Sequence, residues 1–119
     1  MAVRPTSVYG PHDYTERFPY WVARVLRGEP FLVPGDGAGV LHRSYVEDVA
    51  SALRVVAERG DAGEAYNVAD RHVLSMRGTI ERLGAVAGCD PEPVYVSRRE
   101  LREADVNPSA FPLARPDSS

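Results

Sequence analysis

The chain has no lysine: all 14 of its basic residues are arginines, set against 17 acidic ones for a net charge of −3. The arginines are dispersed and form no basic stripe, so no nucleic-acid partner is expected. A single cysteine, Cys89, permits no internal disulfide, which suits a reducing cytoplasm as the expected location. It also lacks the electropositive surroundings that make a thiol reactive. No apolar run approaches the ~20 residues that cross a bilayer. The opening Met1-Ala-Val-Arg-Pro5 has no apolar signal region, so neither secretion nor a membrane partner is expected. His12, His42 and His72 are scattered and Cys89 has no partner at finger spacing, so no metal site is expected. No serine elbow is present. What is present, 44% hydrophobic and 26% charged residues over 119 positions, fits a globular chain of one-domain size.

Periodicity divides that chain into short strands and a few clear helices. Val3 to Tyr9 reads as a strand closed by Gly10-Pro11. Phe18, Trp21, Val22, Val25 and Leu26 recur at helical spacing, with Asp13 or Thr15 as the cap and Gly28 as the stop. Phe31 to Val33 predicts a short strand, and Val40 to Tyr45 a second one pairing with it across a glycine-rich loop. Glu47 to Arg59 predicts a helix whose acidic first turn suits its dipole, with Val49, Ala52, Leu53, Val56 and Ala57 inward. Ala65 to Val68 reads as a strand. Ser75 caps a helix to Ala87 with Ile80, Leu83, Val86 and Ala87 inward, and Gly88 stops it. After the strand Val94 to Val96, Ser97-Arg-Arg-Glu100 has the pattern of a capping box. From Val106 onward, prolines and terminal serines read as an extended tail.

Two glycine and tyrosine patterns invite cofactor chemistry and do not carry it. Gly35-Asp-Gly-Ala-Gly39 is followed by the β-like Val40 to Val46, whereas a phosphate cradle needs a helix N-terminus there. It is a turn. Tyr20 with Arg24, or Tyr95 with Arg99, are two-residue patterns, and Tyr20 with Trp21 is more simply the rim of an amphipathic helix.

Three ordered segments carry more. Arg4-Pro-Thr-Ser-Val-Tyr-Gly-Pro11, His42-Arg-Ser-Tyr-Val-Glu-Asp-Val-Ala50 and Glu64-Ala-Tyr-Asn-Val-Ala69 resemble the second half of the NAD-dependent epimerase/dehydratase family, the extended short-chain dehydrogenase/reductases. The resemblance covers about residues 3 to 105. It implies an α/β fold: edge strands of a Rossmann sheet, with residues 1–11 as the terminal strand of the cofactor domain. Residues 12–105 are then a small mixed α/β substrate-binding domain, and 106–119 a tail. The family's Gly-x-x-Gly-x-x-Gly fingerprint is absent from these residues, and without lysine so is its Tyr-x-x-x-Lys pair. The parent chemistry is NAD(P)-dependent redox at a hydroxyl or carbonyl carbon, as in sugar epimerases and dehydratases. This chain alone is expected to hold no cofactor and no catalytic residue, as a piece of such an enzyme.

The resemblance also places the substrate contacts. Ser7 stands where family members commonly carry a substrate-touching asparagine, and keeps a hydroxyl donor and acceptor. Tyr9 lies at the turn into the substrate domain. Arginine is the natural ligand for diphosphate or carboxylate, because its planar fork donates paired hydrogen bonds. Nucleotide-sugar enzymes usually place one four residues before the tyrosine of Tyr-Val-x-Asp. Leu41 is there instead, and Arg43, two before Tyr45, lies on the same strand face. That departure favours a substrate other than a nucleotide sugar. The expected substrate site is therefore Ser7, Tyr9, His42 and Arg43, reading an oxygen-rich small molecule, with Arg43 as a solvated edge residue the alternative. A homo-oligomer is expected, from apolar surface on Val49, Leu53 and Val56 and an open strand edge. A stand-alone binding or dimerising module without redox activity is the second reading, and an RNA-binding relative the third.

Overall fold

The computed structural model describes residues 1–113. In chain order the elements are β1 (Ala2–Pro5), β2 (Ser7–Tyr9), α1 (Arg17–Arg27), β3 (Phe31–Pro34), β4 (Val40–Leu41), β5 (Arg43–Tyr45) and α2 (Val46–Arg59). β6 (Ala65–Val68), β7 (Leu74–Ser75), α3 (Met76–Ala87), β8 (Pro93–Val96) and α4 (Arg98–Glu103) follow, then a 3₁₀ turn at Pro108–Ala110. The fold is mixed α/β with mostly parallel pairing, as the resemblance implies. Contacts group the chain into two units. One is Met1–Tyr14 with His42–Val73; the other is Thr15–Leu41 with Leu74–Ser119.

In the first unit the expected strand over Val3 to Tyr9 is two strands that break at Thr6. β1 runs parallel to β6, from Ala2 opposite Ala65 to Pro5 opposite Val68. β2 runs parallel to β5, from Ser7 opposite Arg43 to Tyr9 opposite Tyr45. The Thr6 amide donates to the Val68 carbonyl at 3.0 Å, so the chain changes partner there without losing a backbone bond. α2 follows β5 directly, with Glu47 and Asp48 in its first turn. Val49 is its buried residue, and Ala52 and Val56 are half-buried beyond it. Leu53 and Val55 are about half exposed, so the buried stripe is narrower than the periodicity suggested. The helix ends at Gly60, whose amide donates to the Val56 carbonyl. A Cβ there would meet that oxygen at 2.5 Å.

The second unit holds the larger core: Trp21 and Val25 of α1, Phe31 and Val33 of β3, and Met76 and Ile80 of α3. α1 starts after Glu16 in a left-handed conformation, with no side-chain cap. Thr15, an expected cap, instead accepts from the Arg17 side chain. Gly28 ends the helix in the left-handed conformation, as its position predicts. β3 does not pair with Val40 to Tyr45. It pairs in parallel with β8, and β4 pairs antiparallel with β7. Bonds from Phe31 to the Glu92 carbonyl and from Gly35 to that of Val96 extend the β3–β8 ladder at both ends.

Ser75 caps α3 by accepting from the Gly78 amide, as expected. Ile80 is fully buried, but Val86 is 78% exposed and Ala87 is exposed too. Gly84 takes the buried position of that turn, because a Cβ there would collide with the Pro91 ring. The Ser97–Glu100 capping box forms with both reciprocal bonds. Beyond Val106 the chain makes the 3₁₀ turn, and the Pro112 carbonyl accepts from the buried Trp21 indole at 2.7 Å. A buried indole N–H requires such an acceptor. The remainder of the expected tail, residues 114–119, lies outside the described residues.

Ile80 is the point where this core is most sensitive. Ile80→Ala is expected to cost about 2–5 kcal/mol, read as a lower urea midpoint, whereas Val86→Ala on the exposed face should stay within about 0.5 kcal/mol.

Candidate functional site

The parallel register of β2 and β5 puts Ser7 beside Arg43 and Tyr9 beside Tyr45. Because the two strands run the same way, both tyrosines stand at the carboxyl ends, the edge where open α/β sheets collect ligands. Gly10 follows, with φ at 129°, and a Cβ there would meet the Tyr45 ring and Val46 at 2.8 Å. Only glycine lets the chain turn so close to that ring.

Beneath this edge lies a hydroxyl relay. Ser44 is 1% exposed, and its hydroxyl donates to the Val68 carbonyl at 3.1 Å. Its oxygen is 2.6 Å from that of Thr6. A serine hydroxyl has one proton, already given to Val68, so Thr6 is the donor in this second bond.

Above it, Arg43 and Asp70 form the charged part of the site. The Arg43 side chain is 18% exposed and its Nε lies 3.9 Å from Oδ2 of Asp70, itself 23% exposed. Asp70 is tied to β5 through both its ends: its amide donates to the Arg43 carbonyl at 2.9 Å, and its Oδ1 accepts from the Tyr45 amide at 3.4 Å. The Tyr9 hydroxyl donates to Oδ2 at 3.5 Å, and the Arg43 guanidinium lies 5.7 Å from the centre of the Tyr9 ring. Tyr9 and Tyr45 rings pack 5.6 Å apart at 53°. Burial and the negative charge of Asp70 push the Tyr9 hydroxyl above its ordinary range, against the opposing pull of Arg43. Tyr9 is therefore a neutral hydrogen-bonding phenol at physiological pH.

Of the four residues expected from the sequence, Ser7, Tyr9 and Arg43 are brought together and His42 is not. His42 lies exposed in the link before β5, and no hydrogen bond or ion pair involves it among the described residues. Asp70 was missed. Its signal was its place: a carboxylate just past the carboxyl end of β6, where parallel strands deliver functional groups.

The Gly35–Gly39 loop behaves as a turn. Asp36 accepts from the Ala38 amide, and β4 rather than a helix follows. The first amides of α3 are already bonded to this loop, Met76 to the Gly39 carbonyl and Arg77 to that of Gly37. The Arg77 guanidinium also donates to the Asp36 carbonyl and lies 4.1 Å from the Tyr95 ring centre. The Met76 and Arg77 amides are spent holding the loop, so neither is left for a phosphate. Tyr95 thus faces Arg77 rather than Arg99, which pairs with Glu103. A separate cleft of about 700 Å³ runs along α1, lined in part by Pro19, Tyr20, Ala23, Arg24 and Pro112. No group of three metal-type ligands occurs among the described residues, and none of their helices is long and apolar enough to cross a membrane.

Residues 1–69 match the NAD dependent epimerase/dehydratase family. The trifunctional UDP-glucose 4,6-dehydratase/UDP-4-keto-6-deoxy-D-glucose 3,5-epimerase/UDP-4-keto-L-rhamnose-reductase of Arabidopsis thaliana is 31% identical over 109 residues, covering 87% of this chain and 16% of that protein. Among solved structures, UDP-glucose 4-epimerase of Thermotoga maritima with UDP-glucose matches with a TM-score of 0.63 at 32% identity, over 79% of this chain and 31% of that one. The dTDP-glucose 4,6-dehydratase of Bacillus anthracis in complex with NAD gives 0.64 at 28%, over 89% and 38%. The chain spans between about a sixth and a third of the first curated relatives it matches.

The Tyr9 phenol offers a direct check of this geometry. Its raised pKa means that the stability it contributes is present below pH 10.0 and is lost as pH rises through the folded value. Asp70→Asn removes one cause of the shift, so the Tyr9 ring-carbon resonance should titrate at lower pH in the variant. Tyr95, raised mainly by its own burial, should titrate as before.

Proposed function

Because the chain belongs to the NAD-dependent epimerase/dehydratase family, we propose that it is the substrate-binding portion of an NAD(P)-dependent sugar epimerase or dehydratase. Ser7, Tyr9 and Arg43, joined by Asp70, form the polar end of the substrate site. The observation that carries this reading is the in-register pairing of Ser7–Tyr9 with Arg43–Tyr45, which gathers donors and acceptors at one carboxyl edge. The relatives favour a nucleotide sugar over the non-nucleotide substrate that Leu41 suggests, since one solved match is an epimerase holding UDP-glucose; another, a dehydratase holding NAD, supports the cofactor class.

The role of these residues is binding and orientation. Arg43 supplies fixed positive N–H donors, Asp70 an acceptor that also holds the guanidinium in place, and Ser7 a small exposed hydroxyl. A bound nicotinamide would supply hydride transfer. With no lysine and no Gly-x-x-Gly-x-x-Gly loop, these 119 residues carry neither the family's proton-relay pair nor its phosphate loop. Those groups come from elsewhere in a working enzyme, so this chain by itself is not expected to turn over substrate.

Calorimetric titration with UDP-glucose tests the assignment. A charge-assisted contact is worth about 1.5–3 kcal/mol, so Arg43→Ala should weaken binding at least about tenfold while leaving the amide spectrum folded. NADH titrated alone should give no saturable energy transfer from Trp21. Unchanged sugar-nucleotide affinity in Arg43→Ala would reject the site. Micromolar NADH binding would reject the division of labour.

A further inference from the structure

Asp70 has a consequence for which ligand this edge accepts. Arg43 is a cation that acts on Tyr9 at the β2–β5 edge, and its charge is offset at 3.9 Å by Asp70. A second carboxylate, Asp48 in the first turn of α2, also acts on Tyr9. Tyr9 adds a neutral phenol whose proton points to Asp70. The charges acting on Tyr9 are therefore Arg43 against Asp70 and Asp48, with no excess of positive charge. A phosphate or carboxylate brought to Arg43 meets the repulsion of Asp70 at nearly the same distance as the attraction of the guanidinium. A pair of neighbouring sugar hydroxyls meets no such penalty. Each hydroxyl both donates and accepts, so one can donate to the carboxylate while its neighbour accepts from the guanidinium.

We infer that Asp70 is a specificity-determining residue, which with Arg43 makes this site prefer an uncharged polyhydroxyl group, such as a hexose ring, over a phosphate or carboxylate. The inference rests on the substrate-site reading above and sharpens it: the Arg43–Asp70 pair reads the sugar of the substrate, not its phosphates. The tether between Asp70 and β5, through the Arg43 carbonyl and the Tyr45 amide, keeps the carboxylate at the guanidinium instead of letting it swing into solvent.

The test is an NMR titration of the ¹⁵N-labelled chain, following the amides of residues 7–10, 43–45 and 70. The probes are methyl α-glucopyranoside and glucose 1-phosphate at equal ionic strength. The chain should bind the glucoside more tightly. Asp70→Asn, which removes the charge and keeps the shape, should move the ratio of the two affinities about tenfold toward the phosphate. Asp70→Ser serves as a second uncharged variant should the amide disturb the tether. Tighter binding of glucose 1-phosphate by the unaltered chain, with a ratio unmoved in both variants, would overturn the inference and leave the substrate site standing. Loss of neither ligand in Arg43→Ala, or shifts confined to residues away from this edge, would instead defeat the site assignment and the inference with it.

Discussion

The buried hydroxyl of Ser44 is the constraint on which the first unit depends. At 1% exposure it has no access to water, and an unpaired hydroxyl there would cost about 1–3 kcal/mol. It is satisfied only where Thr6, Ser44 and Val68 meet, three residues from three distant stretches of chain. Thr6 is also where the first strand leaves β6 and takes up β5. The same carbonyl, that of Val68, receives both the Thr6 amide and the Ser44 hydroxyl. One residue of slip in β5 would move Ser44 out of this junction and turn Arg43 to the opposite face. The structural role of Ser44 and the proposed binding role of Arg43 therefore fall on two adjacent residues of β5, on opposite faces of the strand.

That coincidence shapes the chemistry. Arg43 is held by a strand whose register is set from beneath, and is met by a carboxylate that is itself bonded to the same strand. With both side chains largely buried, desolvation offsets much of the attraction between them, so the pair is weak evidence for stability. In the proposed site its value would lie in fixed geometry: donors and acceptors presented side by side before a ligand arrives, so that less entropy is lost on binding. Gly10 completes the edge by letting the chain turn against Tyr45, where any side chain would collide.

Much of the fold was legible in the sequence. Ser75, the Ser97–Glu100 box, Gly28 and Gly88 act as the stops and caps their chemistry predicts. Strand pairing was not legible, because strands of two to four residues carry too little pattern to specify a partner. Hence Phe31 to Val33 was expected beside Val40 to Tyr45 and is found beside β8. Val86 shows the limit of helical periodicity: it continues the apolar stripe of α3, yet Gly84 occupies the inward place in that turn against Pro91. In the site, Ser7, Tyr9 and Arg43 came from the family's motif order, not from periodicity. Asp70 escaped because it lies just past the last motif, and its contacts are made across the fold to β5.

The central claim is that ligand recognition in this chain sits at the carboxyl edge of β2 and β5. Mapping amide shifts of the ¹⁵N-labelled chain on addition of UDP-glucose tests it most directly, since every candidate surface is read in one spectrum. The account predicts that the largest changes fall on Ser7 to Gly10, Arg43 to Tyr45 and Asp70. Changes concentrated instead on the Gly35–Gly39 loop, or along the α1 cleft at Tyr20, Ala23 and Arg24, would contradict it.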